Sequence, residues 1–220
     1  MRLYLSSYRM GDRAGSLLAL LGSGKRTAIV SNALDNISST ARAIYRDEVY
    51  DPHLELRALG LETEELDLRR FFSAPDALAA KLGEFDLVWV TGGNAFVLRR
   101  AMKQSGFDDV MTGMLERDEI VYGGFSAGAV VASPTLRGID LMDDPDEVPA
   151  GYDPEPTWDG LGLIDYSIVP HFRSPHPESA AAERAVRNMM GRGMRYRALR
   201  DGEVIVWTET RMLSSELRIA

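Results

Sequence analysis

The sequence predicts an α/β fold of three layers, with a mostly parallel β-sheet covered by helices on both faces. Two observations carry this prediction. Short apolar runs, among them residues 27–30 and 86–90, alternate with segments whose apolar residues recur at helical spacing. These runs have no polar side, which is typical of parallel strands buried on both faces. Because 220 residues suffice for one sizeable core, we expect a single domain over residues 1–220.

The composition limits the classes of function. A formal net charge of −8 and a pI near 5.0 disfavour nucleic acid as a partner. The chain has no cysteine, which excludes disulfides, thiolate metal sites and a cysteine nucleophile. It shows neither a membrane-spanning apolar run nor the apolar region of a secretory signal. We therefore expect a cytoplasmic protein without nucleic-acid or membrane partners and without a cofactor, and we leave homodimer formation open.

Strands and helices alternate through the first part of the chain. The predicted helix 16–21 ends at Gly22, and the predicted helix 75–82 begins at Pro75. Glycine is common directly after the end of a helix, and proline is common in its first turn. The predicted elements, in order, are strand 3–5, helix 16–21, strand 27–30, helices 40–50 and 54–59, strand 64–68 and helix 75–82.

The same alternation continues after residue 85. Strand 86–90 leads into Thr-Gly-Gly-Asn at residues 91–94. Residues 138–162 are rich in Asp, Pro and Gly, which predicts a long irregular loop of the kind that often acts as a lid. The predicted elements are strand 86–90, helix 95–102, strand 120–122, a short helix from 129, strand 164–169, helix 177–192, strands 196–199 and 203–207, and a final strand or hairpin at 211–220.

Residues 124–128, Gly-Phe-Ser-Ala-Gly, carry the strongest functional signal. They lie between a buried strand and a helical segment, which is the arrangement of a nucleophile elbow. A serine hydroxyl must stand where a base can reach it, and small neighbours allow so sharp a turn. The pattern predicts Ser126 as a nucleophile, with the Ala127 N–H directed at developing negative charge. The Gly93 N–H offers a second oxyanion donor, although residues 91–94 could instead be a helix entry capped by Asn94.

Three histidines are candidates for a general base. His171 follows strand 164–169 at the strand end that also carries Ser126, so it is the best placed. His176 lies in a loop and could line the site, whereas His53 lies among charged residues and is expected at the surface. Since no His-x-x-x-His pair is present, we expect no metal site. The strongest acid is Asp201, in a turn between two predicted strands, and the order Ser, His, acid differs from that of α/β-hydrolases.

Taken together, these motifs resemble the peptidase E family of serine peptidases, the aspartyl dipeptidases, with cyanophycinases as more distant relatives. The resemblance covers about residues 3–208 and implies a class I glutamine-amidotransferase-like, flavodoxin-like sheet with Ser in place of the amidotransferase Cys. The matching segments are Thr-Gly-Gly-Asn at 91–94, Gly-Phe-Ser-Ala-Gly-Ala at 124–129, Ser-Pro-Thr at 133–135 and Pro-His-Phe at 170–172.

The resemblance implies a catalytic role for each motif. It implies Ser126 as nucleophile, His171 as general base, and the Gly93 and Ala127 N–H groups as the oxyanion hole. The third member in the family is typically a Glu in a Leu-Pro-Glu-Gly-like turn, where this chain has Leu-Arg-Asp-Gly at 199–202. Asp201 can fill the role of holding the imidazole tautomer. The alternative acids are Glu203, Asp140, Asp143 and Asp144.

The resemblance also implies a substrate and a substrate-binding cation. The family's aspartyl specificity is attributed to an Arg on the helix after the catalytic His, which Arg184 matches approximately, with Arg173 and Arg187 as competitors. A guanidinium fork suits a substrate carboxylate, and Asn94 is a further substrate-binding candidate. We expect a Ser-His-Asp peptidase that acts on small peptides, above all dipeptides with N-terminal Asp, through an acyl-enzyme. The alternatives are a related peptidase or amidase of other specificity, and an inactive amidotransferase-like binding module.

Overall fold

This computed structural model describes residues 1–208. The strands of its central sheet are β1 (Arg2–Ser6), β2 (Arg26–Val30), β3 (Glu62–Glu65), β4 (Leu87–Val90), β5 (Val121–Phe125) and β8 (Val204–Thr208). Their order in the sheet is β3-β2-β4-β5-β1-β8. The first five strands in that order are parallel, and β8 is antiparallel to β1. The prediction of a mostly parallel α/β sheet is therefore confirmed. The final strand or hairpin predicted at 211–220 lies outside the described residues.

Helices cover both faces of this sheet. Successive residues of a strand point to opposite faces, and Leu3 and Leu5 of β1 accordingly pack in one core cluster while Tyr4 packs in the other. The helices are α1 (Ala14–Leu21), α2 (Ser39–Glu48), α3 (Pro52–Ala58), α4 (Pro75–Leu82), α5 (Ala95–Ser105), α6 (Phe107–Glu116), α7 (Ala127–Val130) and α8 (Ser179–Gly191). The first cluster includes side chains of α4 to α8, and the second includes side chains of α1 and α3.

Several elements differ from the sequence prediction. Helix α6 was not predicted, and it begins directly after Gly106, whose backbone is left-handed with φ 75°. Strand β3 ends at Glu65 rather than at residue 68, because the Asp67 carboxylate accepts a hydrogen bond from Arg69 N–H and caps the 3-10 turn Leu68–Phe71. None of the helices in the described residues has the length and apolar character that crossing a membrane requires.

A second, two-stranded sheet lies beside the central one. Strand β6 (Ser167–Val169) pairs in parallel with β7 (Tyr196–Ala198). The strand before His171 was predicted to end at the same sheet edge as the strand before Ser126. This prediction is wrong about the sheet, because β6 is not part of the central sheet. Strand β8 occupies the free edge of β1, so β6 packs against α7 and reaches the site from a separate layer.

The loop predicted at residues 138–162 is irregular apart from the 3-10 turn Ile139–Leu141. Two buried arginines of α5 hold it in place. Arg99 Nε donates to the Asp159 carbonyl at 2.9 Å, and Arg100 donates to three loop carbonyls at 2.8–2.9 Å. Because α5 begins directly after residues 91–94, these hydrogen bonds fix the loop beside the turn that carries Gly93.

Candidate active site

Ser126 lies at the sharp turn between β5 and α7. Its backbone has φ 48° and ψ −117°, a conformation that a non-glycine residue adopts rarely and that is frequent at functional sites. The flanking glycines are required by packing, because a Cβ at Gly128 would lie 2.2 Å from the Val90 carbonyl oxygen and one at Gly124 would lie 2.8 Å from the Gly128 backbone. The residues predicted as a nucleophile elbow thus form a strained strand-to-helix turn.

Ser126, His171 and Asp201 form a continuous hydrogen-bonded chain. Ser126 Oγ lies 3.1 Å from His171 Nε2, and His171 Nδ1 lies 2.8 Å from Asp201 Oδ1. His171 is 1% exposed and Ser126 is 9% exposed, so the chain is largely withdrawn from water. A serine, an imidazole and a carboxylate in this order and at these distances have the geometry of a catalytic triad.

Asp201 reaches the imidazole because its loop joins the two sheets. Residues 199–203 connect β7 to β8, and the Asp201 N–H donates to Ser174 Oγ at 2.8 Å. Ser7, directly after β1, links both sides: its Oγ accepts the His171 N–H at 2.9 Å and lies 3.0 Å from Asp201 Oδ1. The short Asp side chain therefore suffices where the resembled family has Glu.

The other acids considered for this role are engaged elsewhere. Each accepts a hydrogen bond from a backbone N–H away from the imidazole Nδ1. The pairs are Glu203 with Arg200 at 2.7 Å, Asp140 with Gly138 at 2.8 Å, Asp143 with Ala95 at 2.8 Å and Asp144 with Asp146 at 2.9 Å. Asp201 is thus the carboxylate that contacts Nδ1 of His171.

The environment of His171 lowers the pKa of its imidazole. Burial is the largest cause, because it disfavours the charged form, and the neighbouring His176 lowers the pKa further. The hydrogen bond and charge of Asp201 oppose this by stabilising the imidazolium. The net effect keeps the imidazole neutral, which is the form that can accept a proton from Ser126.

His176 stacks on the ring of His171. The two ring centroids are 3.7 Å apart with planes at 8°, and the Tyr8 ring meets both imidazoles edge-on. With Glu178, these two histidines are the group of side chains in the described residues whose donor atoms come close enough to suggest a metal ion. A metal binds in the plane of an imidazole, whereas these planes are parallel, so the lone pairs do not converge on one ion. The arrangement does not fit a metal without rotation of a ring.

The turn at residues 91–94 packs against Ser126. A Cβ at Gly92 would lie 3.1 Å from the Cβ of Ser126, and Gly93 has φ 136° with the Ala33 carbonyl 2.5 Å from an added Cβ. No acceptor among the described residues takes a hydrogen bond from the Gly93 or Ala127 N–H. Both predicted oxyanion donors are therefore unpaired.

The predicted substrate-binding residues differ in their surroundings. Asn94 caps α5, since its Oδ1 accepts from the Phe96 and Val97 N–H groups, and its Nδ2 donates to the Asp144 carbonyl. Arg184 is exposed on α8 and has no ion pair among the described residues.

The two competing arginines are both engaged with Glu183. Arg173 lies over the Phe172 ring with its Nε 4.0 Å from that carboxylate, and Arg187 pairs with it at 3.5 Å. Of the three arginines, Arg184 is the one without an ion pair among the described residues.

Sequence reasoning missed several residues that contact the candidate triad. The missed side chains are Ser7, Tyr8, Ser174 and Glu178, whose Oε2 lies 3.8 Å from His171 Nε2. A signal existed for the first two, because Ser6 of β1 pairs with Phe125 of β5, and residues after neighbouring parallel strands meet at one edge. Ser174 and Glu178 carry no such signal, since they depend on how the segment after His171 folds back.

Sequence comparisons relate the chain to known peptidases. The profile of Peptidase family S51 matches residues 18–214. The chain is 34% identical over 119 residues to an uncharacterized peptidase of Listeria innocua, 35% identical over 114 residues to peptidase E of Streptomyces coelicolor, and 31% identical over 136 residues to peptidase E of Shigella flexneri. These alignments cover 54%, 52% and 62% of this chain, and 54%, 43% and 55% of the relatives. The chain thus spans about half the length of the curated relatives that it matches.

Solved structures of the same type share the fold. A crystal structure from Listeria monocytogenes EGD-e, provisionally assigned as peptidase E, superimposes with a TM-score of 0.71 at 24% identity, over 95% of this chain and 98% of that one. A peptidase from an acI-B1 actinobacterium gives a TM-score of 0.64 at 16% identity, over 94% and 82%. At these identities the likeness establishes the fold.

Proposed function

The chain belongs to peptidase family S51, and from that membership and the contacts of Ser126 we propose that it is a serine peptidase that hydrolyses small peptides through an acyl-enzyme. The single observation that supports this most directly is the hydrogen-bonded chain from Ser126 Oγ through the His171 imidazole to Asp201, at 3.1 and 2.8 Å. Cytoplasmic residence and homodimer formation stay predictions from the sequence.

The reaction starts with attack by Ser126 on the scissile carbonyl. As Oγ bonds to the carbonyl carbon, its proton passes to His171 Nε2, and the carbonyl oxygen becomes an oxyanion. The unpaired N–H groups of Gly93 and Ala127 donate to that oxyanion. Asp201 holds the proton on Nδ1, so that Nε2 presents its lone pair to the serine, and it stabilises the imidazolium that forms.

Collapse of the tetrahedral intermediate completes the acylation. The imidazolium gives its proton to the leaving amine, the C–N bond breaks, and the acyl group stays on Ser126. Water then attacks the ester with His171 as base, which releases the carboxylic acid and restores the serine. Each proton that His171 takes up is returned in the same half-reaction.

We infer that the preferred substrates are dipeptides with N-terminal Asp. Arg184 on α8 supports this, because it is exposed and has no ion pair among the described residues, and a guanidinium binds a carboxylate in a bidentate fork. A panel of Asp-X, isoaspartyl, Ala-X and Glu-X dipeptides tests the inference. A preference for neutral or Glu-X substrates would remove Arg184 from this role and favour a peptidase or amidase of other specificity.

The test of the mechanism is Ser126→Ala, with Ser23→Ala in an exposed turn as the control. We expect Ser126→Ala to lower kcat for an Asp-X dipeptide by about 10⁴-fold or more and to abolish labelling by a serine-directed phosphonate. Hydrolysis at the parent rate would disprove the mechanism. If the parent protein is neither labelled nor active on the panel, the inactive binding module is the better interpretation.

A further inference from the structure

The carboxylate of Glu178 lies next to the proposed catalytic base. Its Oε2 is 3.8 Å from His171 Nε2, the nitrogen that contacts Ser126 Oγ at 3.1 Å. Among the described residues, Asp201 and Glu178 are the acids within 4 Å of this imidazole, and Asp201 is engaged at the opposite nitrogen. The Glu178 side chain is 44% exposed, so a ligand that reaches Ser126 also reaches this carboxylate.

A second acid lies close to Glu178. Asp143 is half-buried, and its carboxylate accepts the N–H of Ala95, the residue that follows the Gly93 turn and its cap. The pKa of Asp143 is raised to about 7, with burial as the largest cause and the charge of Glu178 as a smaller one. No Lys or Arg of residues 1–208 lies within 4 Å of either carboxylate. Neither carboxylate is therefore compensated by a Lys or Arg in direct contact among the described residues.

Covalent geometry places the N-terminal amine of a substrate close to this charge. In the first residue of a peptide, the α-nitrogen is about 2.5 Å from the carbonyl carbon. That carbon lies about 3 Å from the attacking oxygen before reaction, so the amine lies within about 5.5 Å of Ser126 Oγ. Glu178 Oε2 is at most about 7 Å from Ser126 Oγ, because both atoms neighbour His171 Nε2 at 3.8 and 3.1 Å. These distances are short enough for a change of the Glu178 rotamer to bring its carboxylate to the ammonium.

We propose that Glu178 binds the protonated α-amino group of the substrate's first residue and thereby selects peptides with a free N-terminus. This rests on the proposed peptidase function and deepens it, because it assigns a residue to the recognition of the peptide end. An uncompensated carboxylate recognises an ammonium through a charge-assisted hydrogen bond, whereas it leaves an acetylated nitrogen without a charged partner.

The experiment compares free and N-acetylated Asp-X dipeptides at pH 7.0, where an α-amino group is mostly protonated. The variant is Glu178→Gln, which keeps the shape and removes the charge, and the control is Glu62→Gln on the exposed part of β3. We expect the parent to prefer the free dipeptide by about 100-fold in kcat/KM, and Glu178→Gln to reduce this preference by about 10-fold or more. The control leaves the preference unchanged.

The outcomes separate this proposal from the peptidase mechanism. If Glu178→Gln lowers kcat/KM equally for free and acetylated peptides, the residue stabilises the imidazolium instead, and the ammonium proposal is overturned. An unchanged preference overturns it as well.

A second probe reports on Ser126 independently of turnover. Diphenyl phosphonate analogues of aspartate, with a free or an acetylated amine, react as Ser126 Oγ bonds to phosphorus and phenol leaves with the serine proton. Labelling of the parent by both analogues, with the same rate ratio in Glu178→Gln, overturns the ammonium proposal and leaves the mechanism standing. If the parent is neither labelled nor active, the peptidase function fails and the ammonium proposal fails with it.

Discussion

Replacing Asp201 by Asn tests how the carboxylate acts on His171. In the described structure, both side-chain hydrogen bonds to this carboxylate end on Oδ1: His171 Nδ1 at 2.8 Å and the Ser7 hydroxyl at 3.0 Å. Both are donors when the imidazole is neutral and protonated on Nδ1. An Asn amide oxygen in the Oδ1 position would accept both, so we expect Asp201→Asn to retain the tautomer and lose only the charge.

The magnitude follows from the geometry. A carboxylate and an imidazolium about 4 Å apart attract each other by about 4 kcal/mol at an effective dielectric constant of 20. Loss of this attraction in the transition state, with the hydrogen bond kept, costs about 3–4 kcal/mol, or roughly 10²- to 10³-fold in kcat/KM. If the amide instead turned its NH₂ group to Nδ1, the proton would move to Nε2, and the loss would be about 10⁴-fold.

The assay is kcat/KM for an Asp-X dipeptide as a function of pH, with exposed Asp47→Asn as the control. The neutral imidazole is the active form, so activity is present above the pKa of His171 and is lost as the pH falls through it. Asp201 raises that pKa, so Asp201→Asn lowers it, and the acidic limb of the profile moves to lower pH. A change in kcat/KM of less than about threefold, or an acidic limb that moves to higher pH, would refute this reasoning.

Two further predictions concern the ring beside the base and the turn beneath the serine. His176→Phe keeps a ring against His171 but removes a group that lowers the pKa of His171, so we expect the acidic limb of the kcat/KM profile to move to higher pH; a shift in the opposite direction contradicts the assigned cause. Gly128→Ala forces a Cβ to within 2.2 Å of the Val90 carbonyl oxygen, and we expect a loss of about 3 kcal/mol in the free energy of unfolding by urea denaturation. The control is Gly15→Ala in α1, where an added Cβ meets no atom within 4 Å; it gains about 0.5–1 kcal/mol, and equal effects at the two sites would contradict the packing argument.

The inner strands β1, β2, β4 and β5 were predictable because nearly all of their residues are buried. Runs such as Leu87–Val90 are fully buried, and that environment leaves a clear apolar signal. Helix α6 was also predictable, although it was not predicted, because its buried residues Phe107, Met111 and Met114 recur at helical spacing. Strand β6 was predicted as a strand, but the three residues Ser167–Val169 do not specify which strand they pair with.

The local motifs of the candidate site were predictable for a different reason. Ser126 and Gly93 lie in turns whose backbone requires small residues, so the glycines in the sequence indicate where these turns are. Asp201 was predictable as the acid because it lies in a turn between two predicted strands. The position of Glu178 could not be predicted from the sequence. Its proximity to His171 depends on how residues 172–178 fold back, and no periodic pattern in the sequence indicates that path.

The dependence of the site on two sheets gives Ser7 a role that no motif indicates. The central sheet supplies Ser126 and the turn that carries Gly93, while the segments after β6 and β7 supply His171 and Asp201. The Ser7 hydroxyl accepts the His171 N–H at 2.9 Å and lies 3.0 Å from Asp201 Oδ1 and 3.3 Å from the Leu199 carbonyl. Because β1 is the strand beside β5, this contact fixes the imidazole relative to the turn that carries Ser126. His171 has a left-handed backbone with φ 59°, and a strained residue keeps its conformation only where its surroundings determine it. The hydrogen bond that the His171 backbone N–H donates to Ser7 Oγ is one of the contacts that do so.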